Sequence, residues 1–96
     1  MSPFKKKKLV KIRSELDKLD NILIRIIKKR TNLVKKVLVL KERKNQIIDQ
    51  KRISFILKNI KKKSLKNNID PKITNRIWKN MIYAYIDYEK RNFKKK

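Results

Sequence analysis

The fold is decided by residues 9–40, which read LVKIRSELDKLDNILIRIIKKRTNLVKKVLVL. Apolar residues recur there at steps of three and four, which is the spacing of an a/d heptad seam on one face of a helix. The heptad seam consists of Leu9, Ile12, Leu16, Leu19, Leu23, Ile26, Arg30, Leu33, Val37 and Leu40. The pattern predicts one helix from about Phe4 to Arg43, with a length of roughly 60 Å.

Two shorter amphipathic helices are predicted after this long one. Residues 45–46, Asn-Gln, should break the first helix, and Asp49 can cap the second, which should fade near Asn67. The pair Asp70 and Pro71 is typical of an N-cap followed by a first-turn proline. The apolar positions of the two helices are Ile53, Ile56, Leu57 and Ile60, followed by Ile73, Ile77, Trp78, Met81, Ile82, Tyr85 and Ile86.

These elements predict a single all-α domain over residues 1–96, with basic tails at 1–8 and 94–96 that fray. A chain of 96 residues buries only part of its apolar surface by itself. Two short helices cannot cover a seam as long as the one predicted, whereas a second copy of the chain could. We therefore expect three helices, one very long and two shorter, that form an intertwined helical homodimer.

The composition excludes several kinds of chemistry. The chain has no cysteine and no histidine, so it has no disulfides, no thiolate or imidazole metal ligands and no catalytic triad built on those residues. We expect neither a metal nor a cofactor. No uninterrupted apolar run suggests a signal peptide or a membrane span, and a cytoplasmic protein without a membrane partner is the expectation.

The formal net charge of +23 would ordinarily indicate a nucleic-acid partner. Lysines, however, occur in every part of the sequence, and no helix-turn-helix, finger or aromatic RNA-binding motif accompanies them. The joint enrichment in Lys, Asn and Ile, whose codons are AT-rich, is what a biased genome produces. We favour a solvated basic surface over polyanion binding, so nucleic acid is not the expected partner.

Polar residues on faces that should be buried point to a site. Arg30 interrupts the heptad seam, and Lys41 lies on the same stripe roughly 16 Å further along. Arg30 alone is explained as a device that fixes register, but two cations on one interior face need an anion. Glu89 continues the stripe of the third helix. Arg13 is too far from Arg30 for one small ligand to touch both, although an antiparallel partner could bring its own Arg13 to Arg30.

Four segments carry a resemblance to a known family. They are KIRSELDKLDNILIRIIKKR at 11–30, VLVLKE at 37–42, DQKRI at 49–53 and IDPKI at 69–73. In this order and with this spacing the chain resembles the all-helical chorismate mutase family of the helical-dimer type, from Leu9 to about Phe93. The resemblance implies conversion of chorismate to prephenate in the shikimate pathway of aromatic amino-acid biosynthesis, in a homodimer with shared active sites and without a cofactor.

The resemblance also implies roles for individual residues. Arg30 and the other subunit's Arg13 would clamp the two carboxylates of the substrate. Lys41 would bridge a carboxylate and the ether oxygen, and Glu89, where the family usually has Gln, would hydrogen-bond to that oxygen. The remaining substrate-binding residues would be Asp49 and Arg52 near the ring end, Ile53, the apolar wall Val37, Ile82 and Ile86, and Tyr85, where a small hydroxyl residue is common.

Ile53 departs from the family pattern, because typical mutases have at this position a Glu that holds the ring hydroxyl of chorismate. The related isochorismate pyruvate-lyases carry an aliphatic residue there, and MIYAYIDYEKRNF at 81–93 resembles their last helix as well. Some bacterial mutases also have an aliphatic residue at this place. Chorismate mutase is the prediction, isochorismate pyruvate-lyase is the alternative, and a basic helical nucleic-acid-binding module is a more distant one.

Overall fold

The computed structural model describes residues 1–95 and contains three α-helices. They are α1 at Pro3–Leu40, α2 at Gln50–Lys66 and α3 at Pro71–Asn92, with a short 3₁₀ turn at Lys44–Gln46 between the first two. No strand occurs among these 95 residues. The prediction of an all-α chain with one very long and two shorter helices is confirmed. The chain divides into two compact parts, Met1–Leu33 and the part that begins at Val34.

The helix α1 begins at Pro3, close to the predicted start at about Phe4. It includes most of the basic segment 1–8, whose fraying stays a prediction. Ser2 explains this start, because its hydroxyl accepts a hydrogen bond from the Lys5 N–H at 3.2 Å and its carbonyl accepts from the Lys6 N–H at 2.9 Å. At the other end of the chain α3 ends at Asn92. The expected fraying of Lys96 lies outside the described residues.

The helix α1 ends earlier than predicted, at Leu40 instead of about Arg43. The Lys41 N–H bonds to the carbonyl of Leu38, only three residues back, at 3.1 Å. The next two N–H groups, of Glu42 and Arg43, donate to the side-chain oxygen Oε1 of Gln46 at 2.8 and 2.9 Å. A side chain thus replaces the helical carbonyls as acceptor, which lets the chain leave the helix without losing hydrogen bonds.

The starts of α2 and α3 are confirmed as predicted. The Asp49 carboxylate accepts from the Arg52 N–H at 3.0 Å, and the Asp70 carboxylate accepts from the Lys72 N–H at 2.9 Å in front of a first-turn proline. Between the two helices Asn68 adopts a φ of 56°. Asparagine tolerates this left-handed conformation better than most residues, so it ends α2 in a chain that has no glycine.

The core within residues 1–95 is small. Only Ile47, Ser64, Ile86 and Glu89 are buried. Ser64 connects α2 with α3, because its hydroxyl lies 2.6 Å from the hydroxyl of Thr74 and 2.6 Å from the carbonyl oxygen of Ile60. The apolar residues of the heptad seam, by contrast, are exposed apart from the half-buried Leu9, for example Leu16 at 54% and Leu40 at 78%. Apolar side chains exposed at heptad spacing are typical of helices that pair with another helix.

Candidate active site

An ion pair between Lys41 and Glu89 forms the centre of the candidate site. Lys41 is the first residue after α1, and Glu89 lies in the last turn of α3. The ammonium nitrogen Nζ of Lys41 donates to the carboxylate oxygen Oε2 of Glu89 at 2.6 Å. The same nitrogen lies 3.5 Å from the carbonyl oxygen of Ile47. The structure therefore brings together two of the three predicted catalytic residues.

Both partners of this ion pair are largely shielded from water. The side chain of Lys41 is 18% exposed and that of Glu89 is 9% exposed. A carboxylate with so little contact with water is costly unless a cation pairs with it, and Lys41 supplies that cation. The arrangement places a hydrogen-bond donor and a carboxyl next to each other. Such a pair can stabilise negative charge that develops on an oxygen atom, provided that the carboxyl is protonated.

Arg13 and Arg30 belong to the other compact part, Met1–Leu33. Arg13 is exposed, and Arg30 is half-buried. The Nε atom of Arg30 is buried, and it finds no hydrogen-bond partner among residues 1–95. A buried N–H group of a guanidinium without an acceptor is unfavourable, so an anionic ligand or a second subunit that supplied an acceptor would stabilise it.

The comparison with protein families decides the identity. A model described as chorismate mutase type II matches residues 12–90, which is most of the chain. The chain belongs to the chorismate mutase type II family. Membership supports chorismate mutase activity at the level of the family. Neither a curated protein nor a solved structure matches the chain.

The Asp-x-x-Arg segment at residues 49–52 lies at the start of α2. The carboxylate of Asp49 caps the helix, and Arg52 is exposed. The guanidinium of Arg52 lies over the ring of Phe55, 5.4 Å from its centre. Sequence reasoning missed Phe55. The spacing of three residues between an arginine and an aromatic residue on one helix could have indicated this contact.

The predicted apolar residues of the mutase site differ in burial. Ile86 is buried, and Ile53, Ile82 and Tyr85 are half-buried, whereas the side chain of Val37 is 47% exposed. All five lie in the compact part that begins at Val34, together with Lys41, Asp49, Arg52 and Glu89. This part thus contains every predicted site residue except Arg13 and Arg30.

Within residues 1–95 no helix combines the length and the apolar character that crossing a bilayer requires. This includes α1, which is long but carries charged residues throughout.

Proposed function

We propose that this protein is a chorismate mutase, which converts chorismate to prephenate. The observation that carries the proposal is the shielded pair of Lys41 and Glu89 in a chain that belongs to the type II family. The reaction is a unimolecular pericyclic rearrangement, which needs no nucleophile, no base and no cofactor. It is therefore suited to a chain that has neither histidine nor cysteine.

In the proposed mechanism the cations bind and orient the substrate. Arg30 and the second subunit's Arg13 bind the two carboxylates and fold the enolpyruvyl side chain over the ring, which removes part of the entropic barrier. The ether C–O bond then breaks as the new C–C bond forms, and negative charge develops on the ether oxygen. Lys41 donates a hydrogen bond to this oxygen, and protonated Glu89 donates a second one. The Nε of Arg30 is buried and unpartnered among residues 1–95, which supports the role of Arg30 in binding a carboxylate.

A homodimer is part of the proposal. The heptad seam of α1 is exposed in the single chain, and Leu23 and Leu33 on it are 53% and 59% exposed. A second copy, laid along the seam, would cover these residues and contribute Arg13 to each of two shared sites. We place the enzyme in the cytoplasm, in aromatic amino-acid biosynthesis, with a small dicarboxylate as its substrate.

Isochorismate pyruvate-lyase is the second candidate, and Ile53 is the observation that favours it. Ile53 is half-buried on α2 and cannot accept a hydrogen bond from the ring hydroxyl of chorismate. The lyase reaction, which forms salicylate and pyruvate, is also pericyclic and could use the same cations. The type II family match does not separate the two reactions.

Supplying chorismate and isochorismate separately to the purified protein tests both candidates. Formation of prephenate from chorismate supports the mutase, and formation of salicylate with pyruvate from isochorismate supports the lyase. Lys41→Met should abolish either activity, whereas Lys90→Met removes an equal charge from an exposed position of α3 and should not. Turnover of neither substrate by the wild-type protein would refute the proposal.

A further inference from the structure

The segment that connects α1 with α2, residues 41–49, contacts the proposed catalytic lysine directly. Among residues 1–95 the Lys41 ammonium contacts the carboxylate of Glu89 and, at 3.5 Å, the carbonyl oxygen of Ile47. Glu89 belongs to α3, but Ile47 belongs to the connecting segment itself. A lysine side chain has four rotatable bonds, so a second acceptor restricts where its ammonium can lie. The conformation of the connecting segment therefore affects the position of the ammonium.

Gln46 is the residue that determines this conformation. Its side-chain Oε1 accepts hydrogen bonds from the N–H groups of Glu42 and Arg43 at 2.8 and 2.9 Å. Its own N–H donates to the Arg43 carbonyl at 3.1 Å, and the Ile47 N–H donates to the Lys44 carbonyl at 3.2 Å. Four hydrogen bonds thus fold the chain back directly before Ile47, and three of them involve Gln46.

The side chain of Ile47 fixes the other end of this turn. Ile47 is 4% exposed and is the most buried apolar residue among residues 1–95. A buried side chain cannot move far without losing its packing, so its carbonyl stays where the turn places it. Gln46 is itself exposed and makes none of the contacts to Lys41. Its effect on the lysine has to pass through the backbone of the turn.

We propose that Gln46 is a positioning residue that holds the Lys41 ammonium in place through the Ile47 carbonyl. The inference rests on the proposed function, because it assigns to this contact a role in catalysis. Without the Gln46 side chain, two N–H groups lose their acceptor and turn to water, and the turn loosens. The Lys41 ammonium then samples positions at which it cannot reach the reacting oxygen. A displacement of about 1 Å at such a group is enough to slow a reaction up to about 100-fold.

Three variants test the proposal. Gln46→Ala removes the acceptor, and Gln46→Glu keeps carboxylate oxygens at the same distance from the backbone. Asn67→Ala is the matched control, because the amide of Asn67 also bonds to a backbone group in an exposed turn, the carbonyl of Lys63 at 2.7 Å. Each variant is measured for kcat and KM on whichever of the two substrates the wild type converts. The ¹⁵N NMR signal of the Lys41 ammonium and the thermal unfolding midpoint are recorded in parallel.

We expect Gln46→Ala to lower kcat about tenfold, with a smaller rise in KM, because the lysine acts mainly on charge that develops in the transition state. The Lys41 ammonium signal should broaden as its exchange with water accelerates. Gln46→Glu should keep the wild-type kcat and the wild-type Lys41 signal. Asn67→Ala should change neither of these two quantities, although it should lower the unfolding midpoint about as much as Gln46→Ala does.

Equal kcat values for Gln46→Ala and Asn67→Ala, or an unchanged Lys41 signal in Gln46→Ala, would overturn the inference. Failure of the proposed function is a separate result. A wild-type protein that converts neither substrate would refute the enzyme assignment and the catalytic role of the contact together. The NMR signal would still show whether Gln46 holds the lysine.

Discussion

Replacing Glu89 by glutamine separates the two roles that the ion pair with Lys41 combines, stability and catalysis. A glutamine side chain has almost the same shape and can still accept the hydrogen bond that Lys41 donates at 2.6 Å. The bond that remains still has a charged donor, and hydrogen bonds to charged groups contribute about 1.5 to 3 kcal/mol, so most of the interaction is kept. We therefore expect Glu89→Gln to lower the free energy of unfolding by only about 1 kcal/mol.

Lys41→Met removes the other partner of the ion pair and should lower the free energy of unfolding more than Glu89→Gln does. It leaves a carboxylate that is 9% exposed without its cation. Breaking a buried pair from one side costs about 3 to 5 kcal/mol, and the 18% exposure of Lys41 puts the expected loss near the lower limit. Urea unfolding at one fixed protein concentration measures both variants, because the stability of a dimer depends on concentration. Similar losses for the two variants would contradict this account of the pair.

Catalysis by the Glu89 variant should differ from that of the wild type in kcat. Only a protonated carboxyl can donate a hydrogen bond to the ether oxygen, whereas an ionised one repels the negative charge that grows there. Because Lys41 contacts Oε2, the other oxygen is the one that can carry a proton. A neutral side chain that always donates should therefore serve the reaction at least as well as the carboxyl does.

The amide of glutamine is neutral and donates the same hydrogen bond, so the kcat of Glu89→Gln at neutral pH should be equal to or higher than that of the wild type. Measuring kcat of both proteins at saturating substrate gives the comparison. A severely impaired glutamine variant would show instead that Glu89 acts as an ionised group.

Three further predictions concern the dimer, the charge and the specificity. Mixing Arg13→Ala with Arg30→Ala subunits should, after exchange, restore roughly a quarter of the wild-type activity, since half of the dimers are mixed and each has one intact site; mixed dimers without activity would exclude shared sites. Duplex DNA should bind weakly, without sequence preference, and its affinity should fall steeply with salt; tight binding to one sequence at physiological salt would contradict a merely solvated basic surface. Ile53→Glu should strengthen chorismate binding by about 1 to 3 kcal/mol if the protein is a mutase; a strong loss of chorismate turnover would show that the aliphatic residue is required.

The sequence was sufficient to predict the helices because their signals are local. Asp49, and Asp70 with Pro71, are short-range caps, and the structure places both helix starts where these residues predict them. The end of α1 was predicted less well. It depends on Gln46, whose side chain reaches back to two N–H groups, and periodicity alone cannot show that a polar side chain will replace helical acceptors.

The candidate site could be predicted only in part from the spacing of its residues. Glu89 stood out as an acid on an apolar stripe, and the structure pairs it with Lys41 across 48 positions of sequence. The contact of Lys41 with the Ile47 carbonyl and the stacking of Arg52 on Phe55 were not predicted. Both depend on where a flexible, charged side chain turns after the backbone has folded, which the residue pattern does not determine.

The positive charge and the proposed reaction are compatible for a physical reason. A pericyclic rearrangement of a dicarboxylate requires fixed cations and a shape, and it requires no group that changes its protonation at neutral pH as histidine does. A chain with 31 basic residues supplies cations readily, but most of them are exposed, and a cation that nothing holds in place stabilises a transition state poorly. What distinguishes Lys41 from the exposed lysines is the pair of acceptors that holds it in a shielded position. Carboxylates that can hold a cation are therefore much rarer in this protein than cations. One of only eight acidic residues, Glu89, is buried where it holds a lysine in place.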